Sequence, residues 1–107
     1  MIQYKVVYAQ GAFKDLANIY NYILNNSLEP SIAGNLVKKI QHAIDSLNYF
    51  PFRHPKFGSF IKPNEDVRVF IIKDHNIIYQ INDKNRIVKV LEIASCRRDY
   101  KNSENTN

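Results

Sequence analysis

Val67-Arg68-Val69-Phe70-Ile71-Ile72-Lys73, then Asn76-Ile77-Ile78-Tyr79-Gln80-Ile81, then Arg86-Ile87-Val88-Lys89-Val90-Leu91-Glu92-Ile93-Ala94: this run decides the fold. Each piece is dense in β-branched and aromatic residues, which suit a pleated, half-buried surface. The breaks between them, Asp74-His75-Asn76 and Asn82-Asp83-Lys84-Asn85, are short and polar. Three strands joined by tight turns form an antiparallel meander. Upstream, Lys56 to Lys62 reads as a weaker strand, short or bulged around Gly58. Ile2 to Tyr8 alternates, with Ile2, Tyr4, Val6 and Tyr8 on one face, and reads as a first strand.

Between the first strand and the others the period changes. Phe13, Leu16, Ala17, Tyr20, Ile23 and Leu24 mark one face of a helix that ends at Asn25-Asn26-Ser27. A second helix starts near Pro30, with Glu29 placed for the helix dipole. It carries the stripe Ala33, Leu36, Val37, Ile40, Ala43, Ile44, Leu47 and stops at Pro51. The fold class is therefore α+β, of order β-α-α-β-β-β-β. An N-terminal strand and an antiparallel helical hairpin pack on a mostly antiparallel sheet of four to five strands.

With 107 residues the chain suits one domain, over about 1–100, with a polar, fraying tail at 101–107. No apolar run is long enough to span a bilayer, so no membrane partner is expected. Met1-Ile2-Gln3-Tyr4-Lys5 lacks a basic segment followed by an apolar one, so no secretory signal is read and the expected location is the cytoplasm. One cysteine, Cys96, excludes an internal disulfide framework and an all-cysteine zinc site. It reads as a small, partly buried thiol. His42, His54 and His75 share no ligand spacing, and no metal or cofactor is expected. The formal charge is +5, and most of the excess falls after residue 50, where eleven basic residues face seven acidic ones. Such a basic half points to a polyanion or an acidic protein as partner.

Several segments, in this order and spacing, resemble the RelE/ParE toxin superfamily of type II toxin–antitoxin systems. Phe13 to Ile23 resembles its first helix, and Lys39 to Leu47 with Phe50-Pro51 its second. Asp66-Val67-Arg68 followed by Ile77-Ile78-Tyr79-Gln80-Ile81 is similar to its arginine and isoleucine–tyrosine strands. Ile93 to Tyr100 is similar to the close of YoeB-like members, Cys-Arg-x-His-Tyr. The hairpin is ParE-like, whereas the C-terminal segment is RelE- and YoeB-like. The resemblance implies a toxin held by a cognate antitoxin, with a hetero-oligomer of the two. It implies either a ribosome-dependent mRNA endonuclease that inhibits translation, the leading expectation, or a ParE-like, non-enzymatic inhibitor of DNA gyrase. A toxin-fold domain that has lost toxicity is the third alternative.

Metal-free RNA cleavage needs a base, an acid and positive charge for the phosphorane-like transition state. Arginine supplies the last, because its planar fork stays charged at any working pH. The catalytic candidates are Arg68, placed on the open face of its strand if Val67, Val69 and Ile71 pack under the helices, together with Arg97 and Tyr100. The alternative for Arg68 is an exposed strand arginine paired with an acid such as Glu92. Lys56, Lys62 and Arg98 are the RNA-binding candidates. Asp99 stands where YoeB-like members carry histidine, and an ordinary aspartate is ionised and a poor proton donor. His54, in the loop before the second strand, is a substitute acid. Tyr20 and Tyr79 read as core residues rather than stacking platforms.

Overall fold

The computed structural model describes residues 2–27, 29–58 and 65–96. Strand β1 (Lys5–Tyr8) leads into helices α1 (Gln10–Ser27) and α2 (Pro30–Asp45). Two short 3-10 turns, Ser46–Asn48 and Pro51–Arg53, connect onward to β2 (Asp66–Ile72), β3 (His75–Asn82) and β4 (Ile87–Ser95). The sheet order is β1-β4-β3-β2. β2, β3 and β4 form the antiparallel meander, while β1 lies parallel to β4 across the helical hairpin. The α+β class and the helical hairpin are as the sequence predicts. Of the fifth strand expected at Lys56 to Lys62, the described part makes one bridge, Lys56 to Arg68; positions 59–62 lie outside the described residues, as does the 101–107 tail.

The core sits between the hairpin and one face of the sheet. Ala12, Leu16 and Ile19 of α1 and Ile40 and Ile44 of α2 pack on Ile77, Val90 and Ile93. A second cluster joins Tyr4, Leu47, Tyr79, Ile81 and Val88. The stripe expected for α2 is the buried one, with Ala33, Ile40, Ile44 and Leu47 inside. On α1 the expected face is displaced: Phe13 is 69% exposed and Ala17 is exposed, whereas Ala12 and Ile19 are buried. Two sets with helical spacing interleave here and share Leu16 and Ile23. One residue turns a helix by about 100°. The set containing β-branched Ile19 and the small Ala12 meets the sheet, and Asp15 on that side accepts the Ile93 amide at 2.9 Å.

The β2 face is also the reverse of the one expected. Phe70 and Ile72 pack against the helical core, and Ile71 is 67% exposed. Arg68, of the same parity as Phe70, thus lies on the covered side, directly opposite the buried Tyr79 in the β2–β3 register. The large ring of Phe70 sets the parity, and the loop after α2 shields Arg68. In β4 the register shifts between Ile78 and Tyr79 of its partner, so that Leu91 is left over. The bulge changes parity: Val88 and Val90 face the core before it and Ile93 after it.

Candidate functional site

The 50–57 loop folds over the exposed end of the inward sheet face, and Arg68 holds it there. Arg68 Nη1 donates to the carbonyls of Phe52 (2.8 Å) and His54 (2.7 Å). Its Nε donates to Asp66 Oδ1 at 2.8 Å, with Nη2 at 3.5 Å from Oδ2. The guanidinium lies 5.3 Å from the Phe52 ring centroid, and the side chain is 13% exposed. A guanidinium has five N–H donors and no acceptor; three of those donors make short bonds and a fourth a long one. The acid partner is Asp66, two residues away on the same strand face, rather than Glu92, which stands opposite Ile78 on the other face.

The rest of the loop is pinned by neighbouring groups. Tyr79 donates its hydroxyl to the Pro51 carbonyl at 2.7 Å, and burial pushes its pKa up to about 12. The His54 ring stacks on Phe70 at 4.5 Å between centroids and 17° between planes. Burial, and then the charge of Arg53, hold the His54 pKa below the ordinary histidine value. This favours the neutral ring, the wrong form for a proton donor at neutral pH. Arg53 itself donates to the carbonyls of Tyr49 and Phe50 and to the Ser46 hydroxyl. Phe50, at φ 51°, holds the left-handed corner before Pro51.

Of the candidate site residues, the structure brings together Arg68 and Lys56, whose bridge is closed by Phe57 N–H to Val67 O (2.7 Å) and Val69 N–H to Pro55 O (3.1 Å). Lys56 is exposed. Lys62, Arg97, Arg98 and Tyr100, with Asp99, lie outside the described residues. Asp66, two residues from Arg68, shares its strand face in either phase, so the i, i+2 spacing was the signal for this ion pair.

A second feature was not anticipated. A groove of about 580 Å³ runs between α2 and the β2–β3 turn, with Lys38, Lys39, His42 and Lys73 around it and Ala43 and Ile72 on its floor. The spacing of Lys38, Lys39 and His42 on the polar side of α2 was the available signal. Lys73 comes from another element and could be placed beside them only in three dimensions.

A family model described as the ParE toxin of the type II toxin–antitoxin system parDE matches residues 6–100. No curated protein matches. Among solved structures, a chromosomal ParDE toxin–antitoxin system from P. aeruginosa superposes with TM-score 0.71 at 15% identity, covering 89% of this chain and 98% of that one. The RelBE2 toxin–antitoxin complex of Mycobacterium tuberculosis gives TM-score 0.57 at 19% identity, over 89% of this chain and 93% of that one. The archaeal RelE–RelB complex of Pyrococcus horikoshii OT3 gives TM-score 0.58 at 18% identity, over 90% and 98%. At these identities the structures speak for the fold, and the family match carries the membership. The chain belongs to the ParE toxin family of type II toxin–antitoxin systems, within the RelE/ParE superfamily.

Proposed function

We propose that this toxin acts as a ParE-type inhibitor of DNA gyrase, by binding rather than by cutting mRNA. The observation that carries the reading is the geometry of Arg68. A catalytic arginine must present its fork to a scissile phosphate. Here that fork is directed at the Phe52 and His54 carbonyls and at Asp66, inside the protein. Arg68 therefore acts as a clamp on the 50–57 loop. The family match, running from residue 6 to 100 under a ParE description, supports the same choice. The partner that restrains the toxin is a cognate antitoxin, a proposal supported by the toxin–antitoxin complexes among its structural relatives.

The mRNA-endonuclease reading is kept as second, on one observation. Lys56 and Arg68 face each other across a backbone bridge, with Lys56 exposed. In that reading Arg97 and Tyr100 complete the catalytic set, and Lys62 and Arg98, like Lys56, bind RNA phosphates. The two readings separate in parallel assays. Purified toxin is added to gyrase with plasmid DNA, and to a reconstituted translation system whose mRNA 5′ ends are mapped by primer extension. Trapped gyrase–DNA cleavage complexes with intact mRNA are expected. New mRNA ends inside A-site codons, with supercoiling unaffected, would reverse the choice.

A further inference from the structure

Phe50 stands at a left-handed corner, φ 51° and ψ 57°, just before Pro51. Glycine adopts that conformation freely, whereas a bulky ring there is strained. The ring gains no burial in exchange. It is 71% exposed, and neither of the two core clusters includes it. Such strain persists only where the flanking structure fixes it, and here both flanks are fixed. On one side the Tyr4 amide donates to the Asn48 carbonyl at 2.8 Å, and Gln3 Nε2 donates to the Tyr49 hydroxyl at 2.7 Å. On the other side Pro51 is buried, with its carbonyl held by Tyr79. Arg53 Nη1 ties the corner together through the carbonyls of Tyr49 (2.8 Å) and Phe50 (3.2 Å). Arg68 acts farther along, on Phe52 and His54.

The surroundings of the ring are apolar and cationic. The antiparallel bridge between Gln3 and Tyr49 sets Ile2 opposite Phe50 in register. Ile2 and Tyr49 are exposed as well. The segments that build this patch, 2–8 and 46–57, contain no aspartate or glutamate, while Lys5, Arg53 and Lys56 in them are exposed. Interfaces are enriched in aromatic residues and arginine. A ring on a fixed corner also loses little freedom when it binds.

We propose that Phe50 is the anchor by which the toxin binds its target enzyme, its ring entering an apolar pocket rimmed by carboxylates on gyrase. The proposal rests on the reading of this chain as a gyrase inhibitor that works by binding. Anchors of this kind, an aromatic ring in a desolvated pocket, dominate the energy of an interface. Ile2 and Tyr49 close the contact around the ring, and the cations of the patch complement an acidic rim. A projecting ring needs a concave receptor, which a folded enzyme offers and an extended chain laid over the surface does not. A single-stranded nucleic acid could stack on the ring, but it also needs cations free to grip its phosphates. Arg53, the nearest, directs Nη1 at the Tyr49 and Phe50 carbonyls and Nη2 at the Ser46 hydroxyl.

The test titrates purified gyrase with the full chain and reads inhibition of supercoiling, beside the circular dichroism and thermal midpoint of each protein. Phe50→Gly suits the left-handed corner, so it is expected to melt no lower than wild type. It should nevertheless need about tenfold more protein, or more, for half inhibition. A residue that only supported the fold would lose stability and potency together. Phe50→Tyr keeps the ring and should keep the potency. Phe13→Ala removes an equally exposed ring beyond the far end of β1 and should inhibit like wild type. If Phe50→Gly proves unfolded, Phe50→Asn, which also tolerates the corner, carries the test. The proposal is overturned if the folded glycine or asparagine variant inhibits as well as wild type, or if Phe13→Ala loses as much. Folded wild-type protein that leaves gyrase unaffected would overturn the gyrase reading itself, and this anchor with it. Binding of a labelled oligothymidylate that Phe50→Gly abolishes, with gyrase inhibition unchanged, would assign the ring to nucleic acid instead.

Discussion

Arg68 shows how much one side chain can organise when most of its donors are used inside the protein. Removing it leaves two loop carbonyls and the Asp66 carboxylate without their partner, which costs about 3 kcal/mol for a mostly buried charged group. Arg68→Ala should therefore lower the thermal midpoint sharply. Arg68→Lys should recover little, because an ammonium on a flexible stem lacks the fork that reaches Asp66 and two carbonyls at once. Denaturant unfolding of the three proteins checks this; near-wild-type stability of Arg68→Ala would mean that the clamp is not structural. Tyr79→Phe tests the neighbouring bond. It leaves the Pro51 carbonyl unpaired and should cost about 1–2 kcal/mol in the same assay. His54 adds a pH dependence. Its native pKa lies below the ordinary 6.5, so the unfolded chain binds the proton more readily. Stability should fall as pH drops through 6.5 and level off below the depressed native value. His54→Phe should remove that component of the thermal midpoint's pH profile.

At the scale of elements, the helical hairpin and the meander were legible in the sequence because period and turn chemistry agree there. The α2 stripe and the three strands of the meander stand within a residue or two of where the pattern puts them. The phases of α1 and β2 were not legible. Apolar residues surround α1 on more than one side, and β2 is apolar on both faces, so periodicity alone cannot choose. Asp15 on the Ile93 amide and the loop over Arg68 make the choice, and both are long-range contacts. The candidate site inherited the same ambiguity: Arg68 was found by sequence, but its facing depended on the strand's phase. A pair of substitutions on α1 checks the phase. Ile19→Asp should abolish cooperative unfolding by placing a charge in the core, whereas Phe13→Asp should change stability by no more than about 0.5 kcal/mol. Equal effects of the two would contradict the observed helix face.

The whole molecule is a scaffold with two distinct regions on its surface. The loop face is fastened internally by Arg68, Arg53 and Tyr79. On the β2 edge, no backbone bond among the described residues reaches the outward groups of Ile71, and a basic groove lies beside it. No described helix is long and apolar enough to cross a membrane. A toxin that works by binding keeps its potency when its folded surface is intact, and a toxin that works by arginine-assisted cleavage loses it when the fork is lost. The most direct measurement is a supercoiling titration of purified DNA gyrase with wild-type toxin and with Arg68→Lys, each at a concentration corrected for its folded fraction. Both are expected to inhibit supercoiling with similar midpoints and to trap cleaved DNA. Full supercoiling in the presence of excess folded wild-type toxin would contradict the account.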